Sequence, residues 1–85
     1  MTEKKKTLYR TSDIYFAAYL CSIEIEMVNT EEEQGADGGR KLVFVFKVPE
    51  ADLQRMKSSY FGGQATVKVR NFVDNLKALK ALVYI

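Results

Sequence analysis

Four basic side chains near the C-terminus are the residues of this sequence best suited to bind a ligand. Arg70 and Lys77 are seven residues apart, which places them on the same outer face of a helix, and Lys68 and Lys80 lie nearby. Residues 51–85 carry six basic and two acidic side chains, a net charge of +4. Because lysine and arginine neutralise phosphates, this set predicts a nucleic-acid contact surface.

A plain solvated helix face is the alternative explanation of these charges. Asp74 lies four residues after Arg70 and three before Lys77, where it would support the helix and weaken a phosphate site. Tyr60 and Phe61 could offer a stacking platform for bases, although packing at the end of a helix explains them as well. The sequence leaves both explanations open for the basic residues, and likewise for the two aromatic residues.

Nucleophilic and metal chemistry have little support. The chain has one cysteine, Cys21, and no histidine, so Ser-His and Cys-His pairs and histidine-containing zinc sites are excluded. Cys21 lies in an apolar stretch typical of a buried thiol. We expect no enzymatic activity, no cofactor and no metal site, and the residues identify no small-molecule ligand.

Acidic and glycine-rich motifs lack the spacing of known ligand sites. Glu31, Glu32 and Glu33 with Asp37 do not alternate as calcium-loop ligands do, and the glycines at 35, 38–39 and 62–63 match no phosphate-loop fingerprint.

The single cysteine fits a reducing compartment, and no apolar run is long enough to cross a bilayer. These features predict a cytoplasmic protein without a membrane partner.

An apolar surface on one strand predicts self-association. Residues 41–48 are apolar on both faces, so this segment is a central strand or one whose second face meets another molecule. A small sheet covered by helices on one side leaves Val43 and Val45 partly open. We predict a homo-oligomer interface at Val43, Val45 and Val48, the alternative being that a helix or the N-terminal segment covers the valines.

Helices must position the basic residues, and the sequence predicts three of them. One begins near Thr11-Ser12-Asp13 and continues through Leu20, and a second enters at Pro49 and stops at the glycine pair 62–63. The third starts between residues 66 and 69, because alternation at 65–69 also resembles a strand. Its amphipathic spacing comes from Val69, Phe72, Leu76, Leu79 and Val83.

A β-hairpin completes the predicted fold. Ile23, Ile25 and Met27 alternate with glutamates as a half-buried strand does, residues 29–40 form an acidic loop, and residues 41–48 form the second strand. Residues 8–10 would add a third, edge strand. The predicted register is Ile23 with Phe46, Ile25 with Phe44, and Met27 with Leu42.

The predicted fold class is therefore two-layer α+β, with about three helices on one face of the antiparallel hairpin and the order (β)αββαα. We expect one domain over residues 7–85 after a disordered polar tail at 1–6.

Short motifs are spread along nearly the whole chain from Leu8 onward. They are T-S-D-I-Y at 11–15, A-A-Y-L at 17–20, V-F-V-F at 43–46, Y-F-G-G-Q-A at 60–65, Phe72, N-L at 75–76 and L-K-A-L-V-Y at 79–84. Together they resemble a family of small uncharacterised bacterial proteins, a domain of unknown function. The resemblance implies no activity, cofactor or catalytic residue. The loop at 30–39 looks longer than the family's usual hairpin turn.

Two hypotheses about function follow. The first is a small interaction or structural module that forms a homodimer through the hairpin sheet. The second is a nucleic-acid-associated protein that contacts phosphates through Lys68, Arg70, Lys77 and Lys80.

Overall fold

The order of elements confirms the predicted α+β class, with the N-terminal strand present. A computed structural model of the protein describes residues 5–35 and 38–83. Of the predicted tail, residues 1–4 lie outside the described residues, and Lys6 begins the first strand. The elements are β1 (Lys6–Thr11), α1 (Ile14–Ser22), β2 (Glu26–Gln34), β3 (Arg40–Pro49), α2 (Glu50–Phe61) and α3 (Val69–Val83).

The three strands form an antiparallel sheet in the order β1-β3-β2. Phe46 of the central strand lies opposite Tyr9 of β1 on one side and Met27 of β2 on the other. A central strand needs apolar residues on both faces when both faces are shielded from water. Of the two alternatives that the sequence left open for residues 41–48, the structure shows the central strand.

Helix α1 begins at a side-chain cap. The backbone N–H groups of Tyr15 and Phe16 donate to the Asp13 carboxylate, at 3.0 and 3.2 Å from Oδ1. The helix therefore begins at the predicted segment 11–13, and its capping residue is Asp13. Five consecutive residues, Phe16 to Leu20, are buried. A helix that is buried on every side must have neighbours on every side, and α1 lies among the sheet, α2 and α3.

The end of α1 explains why the predicted hairpin register is wrong. Glu24 has a positive φ of 65°, its N–H donates to the Cys21 carbonyl, and the Ile25 N–H donates to the Leu20 carbonyl. This bond pair is a Schellman cap, in which the residue after the helix takes the left-handed conformation. Ile23 and Ile25 therefore pack against the core as part of a helix end and not as a strand.

The second strand is displaced toward the acidic residues. β2 runs over Glu26–Gln34, so most of the predicted 29–40 loop is strand. Observed partners are Met27 with Phe46, Thr30 with Phe44, and Glu32 with Leu42, with a bulge between Met27 and Asn29. β3 has ten residues whose backbone groups need partners, and glutamates suit an edge strand because like charges discourage further strand addition.

The last two helices follow the prediction closely. α2 ends at Phe61, before Gly62 and Gly63, and Gly63 has a φ of +77° that glycine adopts without strain. The segment 64–68 is neither strand nor helix, and α3 begins at Val69, the last of the predicted starting positions. α3 packs against α1, with Leu79 buried and Phe72 and Leu76 half-buried.

An aromatic cluster centred on Phe16 joins the helices to the sheet. The Phe16 ring is fully buried, and its centroid lies 5.0 Å from that of Tyr60 and 5.3 Å from that of Phe61. Tyr9 of β1 meets the same ring edge-on at 5.8 Å. These contacts fix the end of α2 against α1 and β1.

We expect Glu24→Gly to stabilise the protein by about 1 kcal/mol, because glycine occupies the left-handed conformation without the steric cost of a Cβ atom. Glu24 is exposed and forms no ion pair with the described residues, so the substitution removes no contact of that kind. Urea unfolding measures the change. Glu26→Gly is the matched control, because it places glycine in a strand and should destabilise. A Glu24→Gly variant no more stable than wild type would contradict the strained cap.

Candidate functional site

The four predicted basic residues are all exposed on α3 or immediately before it. Among the described residues, the ion pairs use only basic residues from β1, β3, α2 and the segment before β1. The basic residues of α3 have no such partner, so their charge is directed to solvent. The ion pairs are Lys5–Glu50, Arg10–Glu31, Arg40–Glu32 and Arg55–Asp52.

Asp74 does not neutralise the neighbouring cations. It is exposed, and no ion pair joins it to Arg70 or Lys77 among the described residues. The helical rise of 1.5 Å per residue separates Arg70 from Lys77 by about 10 Å along the axis. Residues 65–83 contain four basic residues and one acidic residue, a net charge of +3. We call Lys68, Arg70, Lys77 and Lys80 the basic helix surface.

A cleft extends this positive charge from α3 to the sheet. It has a volume of about 330 Å³, and its lining includes Lys80 of α3 and Lys41 of β3, with Ser12 and Tyr15. Ile14, Leu42, Phe44 and Val83 supply its apolar walls. Lys41 was not predicted as a site residue, because no local pattern connects it to Lys80, 39 positions later.

A second cavity, which we call the aromatic groove, lies at the other end of α3. Its volume is about 300 Å³. The Tyr19 and Tyr60 rings meet there with centroids 5.2 Å apart, and the exposed Phe61 ring stands against Tyr60 at 5.0 Å. The groove is lined by Tyr19, Tyr60, Gly63, Ala65, Val67, Val69 and Phe72.

Burial raises the pKa of the Tyr60 phenol, and the negative charge of Asp13 and the nearby Tyr15 raise it further. The phenol is therefore neutral at physiological pH and does not repel an anion. Burial also raises the pKa of the Cys21 thiol. A thiol with a raised pKa is a poor nucleophile at neutral pH. Cys21 packs against the core but is only half-buried, whereas the sequence predicts a buried thiol.

The predicted interface valines do not form one open surface. Val43 and Val45 are 4% and 1% exposed, and Val48 is fully buried in the core. Arg10 lies opposite Val45 and Glu31 opposite Val43, and their side chains meet across the central strand with Arg10 Nε 3.0 Å from Glu31 Oε1. This ion pair lies over the face that carries the two valines. The N-terminal strand thus helps to cover them within the chain.

The described residues contain neither a cluster of metal ligands nor a helix that could span a membrane. Across residues 5–35 and 38–83, no group of three or more acidic or sulfur ligands comes together in a way that could hold a metal ion. None of the helices in this part of the chain has the length and hydropathy needed to span a membrane.

These features define a small α+β domain with an exposed basic helix between two cavities. The chain belongs to the family DUF5659, a domain of unknown function, whose family model matches residues 6–85. The predicted resemblance to a family of unknown function is therefore confirmed. No curated protein and no solved structure matches the chain.

We expect stability to decline less at alkaline pH in Tyr60→Phe than in wild type. A pKa raised by folding stabilises the protein below the ordinary tyrosine pKa of about 10, and this contribution is lost as pH rises through the folded-state pKa. The Tyr60 hydroxyl has no hydrogen bond among the described residues, so both proteins should be about equally stable at pH 7. Urea unfolding from pH 7 to 11 tests this. Parallel curves would contradict the raised pKa.

Proposed function

We propose that the protein binds nucleic acid through the basic helix surface. The observation that carries this proposal is that Lys68, Arg70, Lys77 and Lys80 are all exposed and form no ion pair with any described residue. Uncompensated lysine and arginine side chains on one element are the electrostatic signature of phosphate binding. The expected contact is with the backbone of the nucleic acid, which gives affinity and position but no sequence preference.

The Lys41–Lys80 cleft supports the same proposal. A phosphate at the rim of this cleft would have two ammonium groups from different elements beside it, together with the hydroxyls of Ser12 and Tyr15. The cleft lies at the C-terminal half of α3, so it continues the path of positive charge that begins at Lys68. The acidic residues of β2 repel a bound phosphate less than their number suggests, because two of them form ion pairs with Arg10 and Arg40.

We expect wild-type protein to bind a fluorescently labelled oligonucleotide with an affinity that falls steeply as salt rises. Each lost phosphate contact should reduce the slope of log K against log salt by about 0.7 to 0.9, so Arg70→Gln and Lys77→Gln should each flatten it. Fluorescence anisotropy at several KCl concentrations measures the slope.

Lys47→Gln is the matched control for this titration. Lys47 is exposed on β3, away from α3, and its replacement changes the net charge by the same amount. If Lys47→Gln weakened binding as much as Arg70→Gln, net charge and not the basic helix surface would explain the affinity. Absence of binding at low salt would refute the proposal.

Self-association through the outer edge of β1 is the second candidate function that we propose. β3 pairs with one edge of β1, and no described strand pairs with the other. Leu8 is exposed beside this edge. Unpaired strand edges template association, whereas the opposite edge of the sheet, β2, carries Glu31, Glu32 and Glu33. The valines predicted as the contact are buried within the chain, so the candidate interface moves to β1.

We expect wild type to sediment as a dimer at high concentration and Leu8→Lys to sediment as a monomer, because a lysine at this edge opposes strand pairing. Val28→Lys changes an exposed apolar residue of the other edge strand and should leave the dimer intact. A monomeric wild type at the highest attainable concentration would contradict the second candidate.

A further inference from the structure

We propose that the protein prefers single-stranded to double-stranded nucleic acid because the aromatic groove and the Phe61 ring accept an unpaired base. This inference rests on the proposed function, since it assigns a substrate class to the same surface. Four observations carry it: the lining of the groove, the exposure of Phe61, the placement of charge beside the groove, and the length of the path along α3.

The groove has the lining that base stacking requires. Tyr19 and Tyr60 contribute aromatic surface, and valines and an alanine supply apolar walls. Its volume of about 300 Å³ lies at the small end of the range for small-molecule sites. Aromatic side chains bind any base by stacking, because every base has a π-face.

Phe61 is held in place without being covered. Its side chain is 62% exposed, yet the ring contacts Phe16 and Tyr60 at centroid distances of 5.3 and 5.0 Å. The helix ends at this residue, and the positive φ of Gly63 turns the chain away. An aromatic ring that two neighbouring rings hold in place and that stays largely open to solvent is a preformed stacking platform.

Positive charge is adjacent to the groove along the sequence. Val67 and Val69 line the groove, and the next residue in the sequence is Lys68 after Val67 and Arg70 after Val69. Val69 itself is 77% exposed, so the wall between the groove and the cations is low. A nucleotide whose phosphate binds Lys68 or Arg70 therefore has its base within reach of the groove. An apolar protein partner would gain nothing from these cations.

A duplex cannot use such a site. Paired bases present only their edges in the grooves of the double helix, and their faces stack on neighbouring base pairs. The path from Val69 to Lys80 is eleven residues, or about 16 Å along the helix axis. This length fits a few nucleotides of an extended strand, with stacking at one end and the Lys41–Lys80 cleft at the other.

The test compares a labelled twelve-nucleotide oligo-dT with a labelled twelve-base-pair duplex by fluorescence anisotropy at low salt. Wild type should bind the single strand more tightly. Phe61→Leu keeps the apolar bulk and removes the π-face, so it should weaken single-strand binding roughly 5- to 150-fold. The salt slope and duplex binding should not change, because no phosphate contact is lost.

Leu82→Ala is the control, because Leu82 is an exposed apolar residue of α3 outside the groove. Thermal unfolding of each variant verifies that it is folded. The comparison of single strand with duplex uses the wild-type protein alone, so it does not depend on the folding of any variant. Equal affinity for strand and duplex, with no effect of Phe61→Leu, would overturn this inference and leave the proposed function intact. Binding of neither probe at low salt would overturn the proposed function itself.

Discussion

The ring of Phe16 is the point at which the three parts of the fold meet. It contacts Tyr9 of β1, Tyr19 of its own helix, and Tyr60 and Phe61 of α2. Burial of a phenylalanine side chain is worth about 2 to 3 kcal/mol, and aromatic pairs add about 0.5 to 1.5 kcal/mol each. α1 can bury this ring and the four residues after it only if the sheet, α2 and α3 surround it. The positions of the sheet, α2 and α3 around the core therefore depend on α1.

The proposed binding surface is a consequence of that packing. α3 packs one apolar stripe against α1, and its basic residues lie in the exposed remainder, together with Asp74 and exposed apolar residues such as Leu82. The end of α2 is fixed by the same aromatic cluster, so Phe61 and Tyr60 come to lie beside the start of α3. Ion pairs neutralise some of the basic residues on the sheet and on α2, whereas the basic residues of α3 form no ion pair with a described residue. Lys68 and Arg70, at the start of α3, directly follow in the sequence two residues that line the aromatic groove, Val67 and Val69.

Local signals in the sequence predict the helices well. Asp13 caps α1, the glycine pair ends α2, and the spacing of Phe72, Leu76 and Leu79 defines α3. Each of these signals acts through neighbours within a turn or two of the chain. The exposure of the basic residues on α3 follows from the same periodicity, which is why the basic helix surface was predictable.

An unusual helix cap and long-range contacts account for what the sequence did not predict. Glu24 occupies a left-handed cap position that usually favours glycine, so the alternation from Ile23 to Met27 resembles a strand. The register of β2 is set by its pairing with the ten-residue strand β3, and the ion pair between Arg10 and Glu31 helps to cover Val43 and Val45. Lys41 and Lys80 line one cleft although they are 39 positions apart. None of these features has a local signal in the sequence.

We propose that nucleic acid binds along α3 and the adjoining aromatic residues. Backbone amide chemical shifts of ¹⁵N-labelled protein, recorded by NMR during titration with oligo-dT at low salt, test this binding most directly. Binding at this surface predicts shift changes at residues 60–80 and at Lys41, with little change along the acidic residues of β2. Changes centred on β2 or on the outer edge of β1, or no changes at all, would contradict it.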